Sequence, residues 1–485
     1  MKYVLSIDQS TQGTKALLLD ENGKLTARKD LPHEQKINEK GWVSHDPMEI
    51  YQNTVQTVKN LVEKLGVDKA DIVTLGISNQ RETSLIWDRD TGLPVADAVV
   101  WQCARASEIC ERPVIVGAAE EIRRKTGLNL SPYFPAAKLA WLLEHTPDLA
   151  DKNLSAGTID SWLVYKLTGG KSFKTDYSNS SLTQLFNINT LAWDEELCKL
   201  FGIPAEILPE VCMSDSGFGE TDLDGFLPKP IPIHGVLGDS HGALFGQGCH
   251  APGMTKATYG TGSSVMMNVG KTPVFGDMGV VTSLAWGRNG KVEYVLEGNI
   301  NYTGSVIKWL VDDVGLISSS KESGELAKQA NPEDTTYLVP AFTGLGAPYW
   351  NSNAKAILTG MTRSTGRAEI VKAAEECIAY QIADIVHAMG KTGVQVGELR
   401  ADGGPTHDTY LMQFQSDILN IPMIVPDTEE LSGLGAAYCA GIAAGIYTSA
   451  VFEQMERKSF IPEKDSAWRE KHYSGWKDAV NLLMK

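Results

Sequence analysis

The sequence predicts an α/β protein with mixed sheets, in which one domain plan occurs twice. Two β-hairpins with glycine- and hydroxyl-rich tips stand about half a chain apart, and apolar strand-like runs alternate with helical periods. At 485 residues the chain is long enough for more than one core.

The first hairpin lies in YVLSIDQSTQGTKALLLDENG, from Tyr3 to Gly23: an apolar strand, a polar turn, a second apolar strand and a closing turn at Glu21-Asn22-Gly23. The plan returns in GMTKATYGTGSSVMMNVG, where the tip is Tyr259-Gly260-Thr261-Gly262-Ser263 and Val265 to Met267 continue the second strand. A duplicated domain then divides the chain into residues 1–248 and 249–485. ADIVTLGIS and PIPIHGVLG read as further strands. In AEIVKAAEECIAYQIADIVHAMG, Ile370, Ala374, Ile378, Ile385 and Met389 recur at spacings near three and four, which predicts a long amphipathic helix ended by Gly390.

Composition narrows the function classes. Acidic residues outnumber basic ones by 60 to 44, and a net charge of −16 opposes binding to nucleic acid. Seven scattered cysteines without a C-x-x-C pair fit neither a disulfide framework nor a zinc site, and point to a reducing, cytoplasmic setting. Met1-Lys2 runs directly into a strand, without the features of a secretory signal. The most apolar late stretch, Leu434 to Tyr447, is too short for a membrane span.

Four places can carry chemistry. At the first tip, Ser10 to Thr14 present donors to one point, Lys15 adds positive charge and Asp8 can hold Mg²⁺, which together make a phosphate cradle; a solvated turn would use the same residue types. The second tip, Gly260-Thr261-Gly262, repeats these properties. Asp402-Gly403-Gly404-Pro405-Thr406 joins a strand to a helix and lets the backbone approach a phosphate or a flat ligand. Gly238-Asp239-Ser240-His241-Gly242 satisfies G-x-S-x-G, so Ser240 is a candidate hydrolase nucleophile with Asp402 and His407 downstream. Asp239 in the same string can instead accept a proton from an alcohol attacking a γ-phosphoryl group, or merely cap the following helix. Arg81-Glu82 can bind neighbouring hydroxyls of a polyol while Trp101 and Tyr133 cover its C–H face; the plainer reading is a surface ion pair and two buried aromatics. The P-loop and the complete G-x-G-x-x-G are both absent.

As a set, these residues resemble the FGGY carbohydrate kinases, nearest to the glycerol kinase branch. The similarity runs nearly end to end through GWVSHDPMEIY, ISNQRET, AVVWQC, TDYSNSS, TYGTG, FTGLGAPYW, ADGG, MQFQSDIL and GLGAAY. The resemblance implies two domains of the actin/hexokinase-like, ribonuclease H-like fold closing on ATP and substrate. It implies Asp8 for Mg²⁺, and Thr11, Gln12, Gly13, Lys15, Gly260, Thr261, Gly304, Lys308, Gly404 and Asp408 for the nucleotide. Asp239 would be the catalytic base. Arg81, Glu82, Trp101, Tyr133, Ser240 and Ser264 would line the substrate pocket. The implied partner is a small polyol or sugar, with no nucleic acid or membrane, and a homodimer or higher homo-oligomer is the expected assembly.

Several positions depart from that branch. Lys15 replaces the usual Arg, keeping charge but losing bidentate geometry, and Lys308 and Asp408 stand where Gln and Asn are usual. Ser240 and Ser264 replace Gln and Phe, which should enlarge the pocket and make its wall more polar. Arg81-Glu82, where xylulose kinases carry Met-His, favours a glycerol-like diol end. The expected substrate is therefore glycerol or a tetritol or pentitol sharing that end, with xylulose less compatible. A serine hydrolase and a nucleotide-gated binding protein without chemistry are the competing classes.

Overall fold

The computed structural model describes residues 2–276 and 279–484. Its first sheet grows from β1 (Tyr3–Gln9), which is mostly apolar and buried along nearly its whole length, as a strand covered on both faces must be. β2 (Gly13–Leu19) and β3 (Leu25–Pro32) continue beside it as an antiparallel meander. β4 (Ile72–Asn79) returns parallel to β1, and β5 (Ile231–Gly238) lies parallel to β4.

A parallel return needs a crossover, and α1 (Pro47–Leu65) supplies the first. Asp46 accepts a hydrogen bond from the Met48 N–H, Pro47 opens the helix, and Gly66 ends it at φ 64°. Between β4 and β5 lies an inserted α/β region that contains α2 (Pro135–His145).

The second sheet is built from β6 (Met254–Tyr259), β7 (Ser263–Gly270), β8 (Val281–Arg288), β9 (Lys291–Ile300), β10 (Glu398–Asp402), β11 (Met423–Pro426) and β12 (Arg457–Phe460), in the order β8-β9-β7-β6-β10-β11-β12. Leaving aside β8 and the edge strand β12, its pairing repeats that of the first sheet. The hairpin β6–β7 and the pair β7–β9 are antiparallel, while β6–β10 and β10–β11 are parallel. The hairpins that look alike in sequence thus occupy equivalent places in two sheets of the same topology.

Helices α3 (Asp239–Gly246), α4 (Gly304–Asp312), α5 (Arg367–Gly390), α6 (Thr409–Leu419) and α7 (Leu431–Ala443) complete the frame that positions the site. α5 differs from its sequence reading in two ways. It is buried on nearly every side, Glu375, Glu376 and Asp384 included, because a second layer covers its outer face: Tyr473 and Trp476 both donate to Asp384. Gly390 is the last helical residue and not a left-handed cap; Lys391 follows at φ −63°.

α7, although late in the sequence, packs on the first sheet and on α3. A Cβ at Gly435 would lie 1.8 Å from the carbonyl oxygen of Gly242, so only glycine permits this backbone-to-backbone approach. Around it, Leu17, Leu237, Phe245, Met266, Trp286, Leu434 and Tyr438 form a core shared by both halves. Each such large apolar side chain contributes about 1.5–3 kcal/mol by burial. Among the described residues, no helix is long and apolar enough to cross a membrane.

Candidate active site

The floor of the site begins where β4 stops. Asn79 is followed by a tight turn in which the Thr83 N–H donates to the Arg81 carbonyl at 2.7 Å, with Glu82 held at φ 59°. A bulky non-glycine residue in that region carries strain of about 1–3 kcal/mol, a cost commonly found where side chains must be aimed. The turn sends Arg81 inward past Gly238, whose Cβ would lie 2.7 Å from the Arg81 Cδ and Cγ.

Arg81 is 7% exposed, so the surface ion pair is not what the structure contains. Its guanidinium donates in bidentate fashion to Glu297 of β9, at 2.8 Å on each arm, and its Nε lies 3.1 Å from Asp239 Oδ1. Glu82 Oε1 is 3.9 Å from the same Nε. One buried cation therefore organises three carboxyl groups from both halves of the chain.

Their surroundings separate these acids. Burial pushes the Glu82 carboxyl up to about 8, and Arg81 only partly offsets it. For Glu297, burial acts in the same direction, but the charge and hydrogen bonds of Arg81 reverse it and hold the group at about 2. At neutral pH the pocket thus presents a largely protonated Glu82 beside an ionised Glu297. No hydrogen bond joins the Glu82 carboxyl or the Tyr133 hydroxyl to any described residue, and both line one cavity.

The Tyr133 and Trp101 rings meet edge to face at 5.6 Å, and the Trp101 Nε1 donates to Thr11 Oγ1 at 2.9 Å. The aromatic wall is thereby tied to the first glycine-rich tip. Beneath it, the fully buried Lys138 of α2 donates to the Tyr133 carbonyl.

Asp239 is the first residue of α3, after Gly238 at the cap position, and its side chain is 35% exposed toward the cleft. Its Oδ1 accepts from the adjacent Ser240 N–H at 2.6 Å. Ser240 is the second helical residue and has no positive φ, unlike a nucleophile on a strained elbow. The neighbouring His241 bonds Ser283, and His407 pairs with Glu429 at 2.8 Å, so neither ring serves Ser240. The geometry contradicts the hydrolase reading.

At the first tip, the Ser10 N–H and hydroxyl both donate to the Gly13 carbonyl. Asp8, directly opposite Lys15 in the β1–β2 register, accepts from Ser78 at 3.1 Å. Burial raises the Asp8 carboxyl, Lys15 opposes the rise and nearby Asp239 adds to it. Lys15 itself is drawn toward the far half of the chain. Its Nζ donates to Glu430, the residue before α7, at 2.9 Å and lies 3.9 Å from Asp8 Oδ2; Arg28 also pairs with Glu430.

The second tip packs on the start of α4, where the Gly304 N–H donates to the Gly260 carbonyl at 2.9 Å. Gly260, Thr261, Gly304, Lys308, Gly404 and Asp408 line one cavity of about 1030 Å³. Thr11, Gln12, Gly13 and Lys15 are not on its wall. Asp408 spends its carboxylate capping α6, accepting from the Tyr410 and Leu411 N–H groups, and Lys308 extends outward, 3.9 Å from Asp312. Ser264 on β7 donates to Glu297 Oε1 at 3.2 Å.

Sequence reasoning missed Glu297, Lys138 and Glu430. Glu297 did leave a signal, as the single charge between apolar neighbours and glycine in YVLEGNI; Lys138 and Glu430 acquire meaning only through partners distant in sequence.

Residues 3–246 match the family model for the N-terminal domain of the FGGY family of carbohydrate kinases, and residues 255–444 match that for its C-terminal domain. Glycerol kinase 1 of Thermotoga maritima is 46% identical over 492 residues, covering 99% of each chain. A glycerol kinase of Thermoanaerobacter sp. is 43% identical over 494 residues, covering 100% of this chain and 99% of the relative. The crystal structure of Plasmodium falciparum glycerol kinase with ADP superposes with a TM-score of 0.93 at 36% identity, covering 100% of this chain and 99% of that one. A xylulose kinase from Lactobacillus acidophilus reaches a TM-score of 0.90 at 22% identity over 100% and 99% of the two chains, a likeness of fold alone.

Proposed function

The chain belongs to the FGGY family of carbohydrate kinases, and we propose that it transfers the γ-phosphoryl group of ATP to a terminal hydroxyl of glycerol or a closely similar small polyol. The observation that carries this reading is the cluster in which Asp239 lies 3.1 Å from a buried, doubly anchored Arg81, beside a Glu82 carboxyl and a Tyr133 hydroxyl that make no hydrogen bond to a described residue.

Each group has a distinct part. Arg81 donates to a substrate hydroxyl while Glu297 fixes its plane. Glu82, protonated near neutrality, can donate or accept at the adjacent hydroxyl, and Trp101 and Tyr133 cover the C–H face. Asp239 accepts the proton of the terminal hydroxyl as its oxygen attacks phosphorus. Because phosphoryl transfer passes through a loose transition state, positioning and charge stabilisation account for most of the catalysis.

The nucleotide occupies the cavity behind the second tip, with Gly260, Thr261, Gly304 and Gly404 admitting its close approach. Lys15 and the Thr11–Gly13 tip face its phosphates across the cleft. Asp8 suits Mg²⁺: its carboxyl is buried, raised by that burial, and has acceptor capacity beyond the Ser78 bond. Mg²⁺ commonly binds one or two carboxylates together with substrate phosphates, and would neutralise charge there.

The test is Asp239→Asn, which preserves shape and removes the proton acceptor. Polyol-dependent ADP formation should fall by about 10²–10⁴-fold, while calorimetric ATP binding remains. A variant within tenfold of wild type would remove Asp239 from this role.

A further inference from the structure

Beyond the Arg81 floor the pocket continues. A cavity of about 680 Å³ starts at Glu82, Tyr133 and Glu297 and runs on to Asn129, Ser131, Asn299 and Asn301. A three-carbon triol has six non-hydrogen atoms, which at the roughly 30 Å³ a water occupies in the liquid come to roughly 180 Å³. Most of the space would stay unfilled by such a substrate.

The polar wall has a simple origin. Residues two apart on a strand share a face, so β9 places Asn299 beside Glu297, about 7 Å farther along. Ser264 lies opposite Asn299 in the β7–β9 register, and its hydroxyl donates to Glu297. Asn301 follows at the end of the strand. Asn299 and Asn301 are exposed and Asn129 is half-buried, and no hydrogen bond joins their side-chain amides to any described residue, so water or a ligand takes those bonds. The lining also holds Arg123, whose guanidinium donates to the Gly276 carbonyl, and the apolar Leu130, Phe134, Leu182, Val281 and Trp350. A lining that mixes amides and a guanidinium with hydrocarbon offers donors and acceptors to the O–H edge of a hydroxylated carbon chain and apolar contact to its C–H face.

We propose that this cavity is a distal hydroxyl subsite, and that the preferred acceptor is a linear polyol of four or five carbons, with Asn299 as its main specificity determinant. The proposal rests on the kinase reading above. The Arg81 and Glu82 end binds the terminal diol, and the remaining hydroxyls take their hydrogen bonds from Asn299, Asn301 and Asn129.

Steady-state ADP formation is measured with glycerol, erythritol, threitol, ribitol, xylitol and arabitol, on wild type and on Asn299→Leu. The expected result is a kcat/KM for at least one four- or five-carbon polyol that exceeds that for glycerol tenfold or more. Asn299→Leu should lower that value at least tenfold while glycerol turnover stays within twofold, which also shows that the variant folds. The subsite is overturned if no longer polyol exceeds glycerol by tenfold, or if the substitution fails to separate the two substrates. An absence of ADP formation with every alcohol, glycerol included, would instead overturn the kinase reading.

Discussion

Glu297→Gln tests the organising role assigned to the Arg81 cluster. The wild-type pair is bidentate at 2.8 Å on both arms, with Arg81 7% and Glu297 2% exposed. Removing one partner of a buried ion pair costs about 3–5 kcal/mol because a charge is left behind. Glutamine keeps one acceptor oxygen, and Asp239 at 3.1 Å still faces the guanidinium, so the loss should fall to about 2–3 kcal/mol. At about 2–4 °C per kcal/mol for a domain of this size, Tm should drop by about 5–10 °C in a thermal scan. Arg81, released from β9, should swing toward Asp239 and weaken both substrate binding and the proton acceptor. If the same 2–3 kcal/mol is lost from the transition state, kcat/KM for the polyol falls about 30–150-fold. A variant with Tm within 1 °C of wild type and unchanged kcat/KM would refute the idea that Glu297 holds Arg81 in place.

Two further predictions concern the same region. Glu82 is raised in the folded protein to about 8, so its proton stabilises the fold fully below the ordinary carboxylate range, and that stabilisation is lost as pH rises toward 8. In chemical denaturation, Glu82→Gln should lose less stability than wild type from pH 5 to 8; in kinetics, KM for the polyol should rise above pH 8 in wild type and stay flat in the variant. Equal profiles in the two proteins would count against a protonated Glu82. Gly435→Ala drives a methyl group onto the Gly242 carbonyl, which should destabilise by about 1–3 kcal/mol and lower kcat more than it raises KM for the polyol; a fully active variant would show that α3 and α7 part without consequence.

What the sequence disclosed follows from how local each signal is. Hairpins announce themselves through apolar runs around Gly13 and Gly262, because strand, turn and strand are contiguous, and so the doubled topology was within reach. Asp239 was visible for the same reason, at a strand-to-helix junction. Glu297 was not singled out because its partner Arg81 lies 216 residues away, and no periodicity connects a strand of one half to a turn of the other. Gly390 misled because glycine marks helix ends only on average; the last carbonyls of α5 are taken up by the next turn, where the Thr392 and Gly393 N–H groups donate to the Met389 and Gly390 carbonyls, and Gly393 supplies the left-handed residue. The docking of α7 was hidden as well, since a run such as LSGLGAAYCAGIA states that something approaches closely without stating what.

That docking has a mechanical consequence. α3 begins with Asp239, and α7 begins one residue after Glu430, which grips Lys15. The two helices meet through main-chain atoms at Gly242 and Gly435, where no rotamer can relax and no side chain can be trimmed. The pair therefore behaves like a caliper with a close pivot: one leg carries Asp239 and the other follows Glu430, the anchor of Lys15. The span between them is set by main-chain contact at the two glycines, so a side chain added at either one spreads the legs.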